Sequence, residues 1–279
     1  MAFGDLLARL TPLAAFAAFA PTDPARAPVR GAAFGPDPRH RLDVHAPASG
    51  QGPWPVAMFF YGGGWNAGDR RDYAWVGKAL AARGFLALVP DYRLYPRVRF
   101  PAFLEDGALA VRWALENVAE LGGDPGRLAL LGHSAGAYNA AMLALDGRWL
   151  EGAGVDPRAV GAFAGLSGPY SFLPFDGPIA IRTFGEAPDP PATQPVNFAR
   201  ADAPPAFLAS GGADTVVRPG NTRRLSKALS AAGARVEERF YQGLDHPGPV
   251  LALSRTFRHR APVLDEMTRF LHDALPAPA

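Results

Sequence analysis

Gly132-His133-Ser134-Ala135-Gly136 is the segment of this chain best suited to covalent chemistry. It follows the apolar run Leu128-Ala129-Leu130-Leu131 and precedes a helix-like stretch over 137–143. A serine between two glycines at a strand-to-helix junction sits on a turn where neighbouring Cβ atoms would clash. Such a turn presents the hydroxyl outward, as a nucleophile requires. A serine hydroxyl is a weak nucleophile until a base takes its proton. The chain must therefore also supply a base, a group to orient it, and donors for the charge that develops on an attacked carbonyl oxygen.

The search for the base is short, because there are six histidines. His40 and His45 flank an early strand, His133 adjoins the serine and is badly placed to reach back to it, and His259 and His272 belong to the last helical region. His246 lies in Gly243-Leu244-Asp245-His246-Pro247-Gly248, a turn-rich loop directly after a β-like run. Functional groups in open α/β sheets collect on loops beyond the carboxyl ends of strands. His246 is therefore the expected base. Asp214, in Gly212-Ala213-Asp214-Thr215, follows another strand and is the expected orienting carboxylate. Asp245 is its rival by adjacency, although neighbouring side chains in an extended or turn segment tend to diverge.

Oxyanion donors need bare backbone N–H groups. Tyr61-Gly62-Gly63-Gly64-Trp65 follows an apolar strand and supplies three consecutive glycines. The N–H of Ala135, next after the serine, is the expected partner donor.

These residues need a scaffold of strands feeding helices, and the chain reads that way. β-like runs at 41–45, 55–61, 85–89, 127–131, 160–166, 206–210 and 235–241 alternate with helical stretches at 73–83, 103–121, 220–232 and 261–275. The alternation predicts an α/β fold with a mostly parallel sheet covered on both faces. Its 279 residues, 48% of them hydrophobic, suit one α/β domain with a sizeable core. Residues 167–205 are rich in Pro, Phe and Gly and lack clear periodicity, which predicts a cap or pocket-forming insertion. Trp65, Phe172, Phe175 and Phe184 are the candidate pocket walls, with the core as the competing destination for each.

Twenty-eight Lys and Arg against 26 Asp and Glu leave a charge of +2 with no long run of one sign, so nothing suggests nucleic-acid binding. The chain has no cysteine, which excludes disulfides and thiol chemistry. No run reaches the ~18 apolar residues of a membrane span. Residues 1–30 read as an N-terminal arm near the mouth of the site, with Leu6, Leu7, Leu10 and Leu13 on one helical face. The competing reading is a signal peptide over 1–20 ending at Ala18-Phe19-Ala20. The first places the protein in the cytoplasm and the second exports it. Oligomeric state stays open, a homodimer included.

Together these motifs resemble the carboxylesterase branch of the α/β-hydrolases, nearest the hormone-sensitive-lipase-like bacterial esterases and the related arylformamidases. The resemblance runs from about Arg41 to Leu275. It rests on Leu42-Asp43-Val44, Tyr61-Gly62-Gly63-Gly64-Trp65, Asp91-Tyr92-Arg93-Leu94, the serine turn, Gly212-Ala213-Asp214 and the His246 loop. The order Ser134, Asp214, His246 is the α/β-hydrolase order. The resemblance implies an eight-stranded sheet, with Gly63 and Gly64 as oxyanion donors and Gly62 allowing the turn. It also implies hydrolysis of a small-molecule ester of hydrophobic acyl or aryl type, through an acyl-enzyme and with no metal or organic cofactor. The alternatives are an amidase such as an arylformamidase, or a catalytically silent binding module. One departure stands out. The family loop usually begins with a structural histidine, and here it begins with Tyr61, which is longer and offers one hydroxyl. Asp91-Tyr92-Arg93-Leu94 is expected to form a structural turn near the nucleophile strand.

Overall fold

Continuous apolar runs without a polar alternation belong to strands buried on both faces, and they form the centre of this molecule. The computed structural model describes residues 16, 17 and 19–277. Eight strands form one sheet: β1 (Ala25–Ala33), β2 (Arg41–Pro47), β3 (Trp54–Phe60), β4 (Leu86–Pro90), β5 (Gly123–His133), β6 (Val160–Leu166), β7 (Ala206–Gly211) and β8 (Val236–Tyr241). Their order is β1-β2-β4-β3-β5-β6-β7-β8. β1 and β2 pair antiparallel, as do β2 and β4, and every later pairing is parallel. Val56 to Phe60 of β3 and Leu128 to Leu131 of β5 are buried along their whole length.

The helices are α1 (Ala74–Ala81), α2 (Ala102–Asn117), α3 (Ala135–Leu145), α4 (Arg148–Gly152), α5 (Pro178–Phe184), α6 (Gly220–Ala232), α7 (Gly248–Leu251) and α8 (Val263–Ala274). The stripe Leu104, Ala108, Val111 is buried, so α2 packs by the face that its periodicity marks. α3 is different, because every residue in it is buried. Its small side chains (five alanines and one glycine between 135 and 145) suit a helix enclosed on all sides.

Most element positions match their sequence signals, and some do not. β5 begins five residues before the apolar run, at Gly123, and α3 begins at Ala135 rather than 137. The short helices α4 and α7 carry no periodic signal because each is barely more than one turn. The N-terminal reading needs correction. Residues 25–33 form no arm at the site's mouth; they are the edge strand β1, at the end of the sheet away from β5. The predicted Leu6–Leu13 helical face and most of the signal-peptide candidate lie outside the described residues. Phe16 packs edge-on to Trp75 and stacks on Phe257, with ring centroids 5.5 and 5.6 Å away.

Parallel strands share a direction, so the loops leaving β3, β4, β5, β7 and β8 gather at one edge of the sheet. That edge receives Gly63, Gly64, Asp91, Ser134, Asp214 and His246.

One buried residue makes the fold acid-sensitive. His45 of β2 lies against Gly77 of α1, and neither ring nitrogen has a hydrogen-bond partner among the described residues. Burial pushes its imidazole down from 6.5 to about 4. The folded state thus holds His45 neutral where the unfolded chain protonates it. Its contribution to stability is complete above about pH 6.5 and is lost as pH falls towards about 4. His45→Leu, which also removes two unsatisfied polar atoms, is expected to flatten this part of the stability–pH curve without loss at pH 7.5. Urea midpoints measured from pH 7.5 to 4 check it; parallel curves for variant and parent would rule it out.

Candidate active site

Ser134 occupies φ 54° and ψ −122°, a region an L-residue enters only when its surroundings force it. Two contacts do so. Its N–H donates to the carbonyl of Leu166 at 2.9 Å, and its own carbonyl accepts from Tyr138 N–H at 3.1 Å as α3 begins. Gly136 makes the turn possible, because a Cβ there would collide with the backbone carbonyls of Phe60 and Tyr61.

The loops after β7 and β8 meet over this turn. His246 Nδ1 lies 2.8 Å from Asp214 Oδ2, and His246 Nε2 lies 2.9 Å from Ser134 Oγ. A carboxylate only accepts, so Nδ1 carries the proton and leaves Nε2 free to accept from the serine hydroxyl. Asp214 is itself fixed: its Oδ1 accepts from the N–H groups of Val216 and Val217, each at 2.9 Å. Burial works to raise the Asp214 carboxyl. The hydrogen bonds from His246, Val217 and Val216 outweigh it and hold the group below its ordinary value. Asp245, the rival, is exposed, while Asp214 is 3% exposed.

His133 takes a part that adjacency alone did not predict. Its Nε2–H donates to the backbone carbonyl of His246 at 3.1 Å, which ties the serine turn to the histidine loop. Burial, followed by the neighbouring His246, pushes the His133 imidazole down to about 3, so it stays neutral.

The glycine loop lies on the other side. Gly63 has φ 130°, and a Cβ there would strike the carbonyl of Ala67. That carbonyl-lined turn is closed by Asn66 and Ala67 N–H groups donating to Gly63 O at 3.1 and 3.0 Å. The N–H groups of Gly63 and Gly64 donate to no backbone carbonyl among the described residues. Ala135 stands at the first position of α3, where an N–H has no intrahelical acceptor. Trp65 anchors the loop: its indole N–H donates to Asn139 Oδ1 at 3.1 Å, and its ring packs edge-on to Tyr138 and Phe184.

Tyr61 braces the loop from below. Its hydroxyl donates to Asp91 Oδ1 at 2.8 Å and accepts from Arg39 at 2.7 Å. Asp91 also receives Arg70 through its backbone N–H at 2.8 Å and its guanidinium at 2.6 Å. Tyr92 donates to the carbonyl of Tyr61 at 2.8 Å. The Asp91-Tyr92 turn is therefore structural, as expected, but it leaves β4 beside β3 and serves the glycine loop rather than the nucleophile strand. Arg39 and Arg70 carried no local signal; they come from irregular and 3-10 segments on either side of β3.

A cavity of about 430 Å³ opens over Ser134, lined by Gly63, Gly64, Trp65, Ala135, Phe172 and His246 among others. Two of the candidate wall residues do not line it. Phe184 is fully buried, packed against Trp65, Phe103 and Phe172, and Phe175 stacks on Phe184. Ile179, Ala180, Val216 and Val217 line it instead. No cluster of three or more metal-ligating side chains occurs among the described residues.

Several solved structures share this architecture. Esterase B of Lactobacillus rhamnosis superposes with a TM-score of 0.83 at 19% identity, over 98% of this chain and 92% of that one. Butyrate-bound esterase 2 of Thermogutta terrifontis gives 0.73 at 23% identity, over 91% and 96%. The chain has the α/β-hydrolase fold. Residues 42–164 match the BD-FAE family model. Its sequence relatives include the carboxylesterase NlhH of Mycobacterium tuberculosis, 33% identical over 66% of this chain and 63% of that protein. Another is the isoprenylcysteine alpha-carbonyl methylesterase ICME of Arabidopsis thaliana, 29% identical over 78% of this chain and 56% of that protein. The chain thus spans less than two thirds of the length of these relatives.

The Tyr61 brace generates a test. Tyr61→Phe leaves buried Asp91 short of a donor and Arg39 short of an acceptor, and is expected to cost about 1–3 kcal/mol of stability. Arg39→Ala should be strongly non-additive with it, with a coupling above about 0.5 kcal/mol. Urea denaturation of the two single variants and the double variant measures both; additive losses would exclude a shared network.

Proposed function

We propose that this α/β-hydrolase is a serine carboxylesterase acting on small hydrophobic acyl or aryl esters. The observation that carries the reading is the unbroken chain Asp214–His246–Ser134, held at 2.8 and 2.9 Å beneath the glycine loop. The ester-hydrolase names of its sequence relatives support it.

Ser134 Oγ attacks the ester carbonyl while His246 Nε2 takes its proton. Asp214 keeps His246 in the required tautomer and offsets the charge of the imidazolium. The N–H groups of Gly63, Gly64 and Ala135 receive the oxyanion, each such donor being worth about 3–4 kcal/mol in the transition state. His246 then protonates the leaving alcohol. Water, activated by the same imidazole, releases the acid from the acyl-enzyme. The chemistry needs neither metal nor organic cofactor. The partner is the small-molecule substrate. No helix among the described residues is long and apolar enough to cross a membrane.

Ser134→Ala is expected to reduce hydrolysis of p-nitrophenyl butyrate by at least about three orders of magnitude and to abolish labelling by a fluorophosphonate probe. Asp214→Asn keeps the shape but favours the wrong tautomer, and a loss of about 10⁴ in kcat is expected. Turnover by Ser134→Ala at the parent rate would refute the assignment. A kcat/KM for matched N-formyl aryl amines above that for the esters would move it to an amidase.

A further inference from the structure

The catalytic cavity continues outward. A second cavity of about 630 Å³ shares Pro169, Phe172, Asp176, Val216 and Val217 with it. Beyond that common wall the surroundings change from apolar to basic, because Arg218 and Arg224 line the outer cavity.

The two guanidinium groups differ from most others at the carboxyl edge of the sheet. Arg39, Arg70 and Arg93 each meet a carboxylate within 4.0 Å. Among the described residues, Arg218 and Arg224 meet none. Arg224 is nevertheless held in place: one Nη donates to the carbonyl of Ser171 at 2.9 Å. Ser171 is in turn fixed by its N–H donating to Asn221 Oδ1 at 2.9 Å. Both arginines are exposed, and the one carboxylate on the cavity wall, Asp176, is exposed too. The wall therefore carries two positive charges against one negative. α6, which opens at this cavity with Gly220 and Asn221, has no acidic residue in its first turn to offset that balance.

Resting on the esterase reading, we infer that the outer cavity is a subsite for a carboxylate carried by the substrate. The substrate class is an ester whose far end is anionic and whose middle is apolar. The apolar spacer lies along Phe172, Val216 and Val217, the ester carbonyl reaches Ser134, and the distal carboxylate meets the forked donors of Arg218 and Arg224. A neutral acyl or aryl ester fills the inner cavity alone and leaves the two guanidinium groups solvated.

The test compares charged esters with neutral isosteres on the purified chain. For the acyl side, p-nitrophenyl half-esters of diacids from succinate to suberate are set against p-nitrophenyl esters of monoacids of equal length. For the alcohol side, 4-acetoxyphenylacetate is set against p-cresyl acetate. In at least one series the anionic member should be favoured in kcat/KM, by about tenfold at the best spacer length, and the preference should shrink as NaCl rises from 0.05 to 0.5 M. Arg218→Met/Arg224→Met, which keeps the apolar stems, should erase the preference while hydrolysing p-nitrophenyl butyrate at the parent rate. Neutral esters favoured equally by parent and variant in both series would overturn the subsite and leave the esterase standing. No turnover of any ester, butyrate included, would remove both.

Discussion

Gly136 leaves no room for a Cβ beside the carbonyl oxygens of Phe60 and Tyr61, and much of the site depends on that close approach. It brings the end of β3 and the turn after β5 too close for any side chain between them. Ser134 and the glycine loop then face one point because nothing separates their supports. The strained φ of 54° at Ser134 is kept by the same closeness, since relaxing it would drive α3 away from β3. Strain of this kind persists only where packing over-determines it, and α3, buried along its whole length, supplies that packing.

Histidine and aspartate are held differently. They sit on loops after neighbouring strands, β8 and β7, and are fixed by hydrogen bonds as well as by packing, since a Cβ at Gly211 would strike the carbonyls of Leu244 and Asp245. Asp214 is gripped by two backbone N–H groups, and the His246 backbone is gripped by His133. The imidazole itself touches only its two partners at the nitrogens. Its ring also lies against that of His133, with centroids 5.1 Å apart. A preorganised frame of this kind suits a reaction in which charge builds at fixed positions.

Much of this was legible in the sequence, and the reasons are local. The serine turn, the three-glycine loop and the loops carrying Asp214 and His246 each announce themselves by turn chemistry within a few residues. The central strands announce themselves by unbroken apolar runs. What was not legible depends on partners distant in the chain. Edge strand β1 has a mixed burial pattern and owes its place to pairing with β2. Arg39 and Arg70 look like ordinary surface arginines until the fold brings them to Asp91. Phe184 and Phe175 went to the core rather than the cavity, because aromatic composition does not say which side of a lining wall a ring will occupy. Ile179 and Val217, with no polar atom to draw attention, took the wall instead.

The Tyr61 brace also bears on how such a chain can change. Tyr61, Asp91, Arg39 and Arg70 share acceptors, so none of them is free to vary alone. The Tyr61 hydroxyl serves both at once, donating to Asp91 and accepting from Arg39. Position 61 is therefore tied to position 39 as well as to Asp91, and a side chain there that cannot both donate and accept would uncouple the glycine loop from the segment leading into β2.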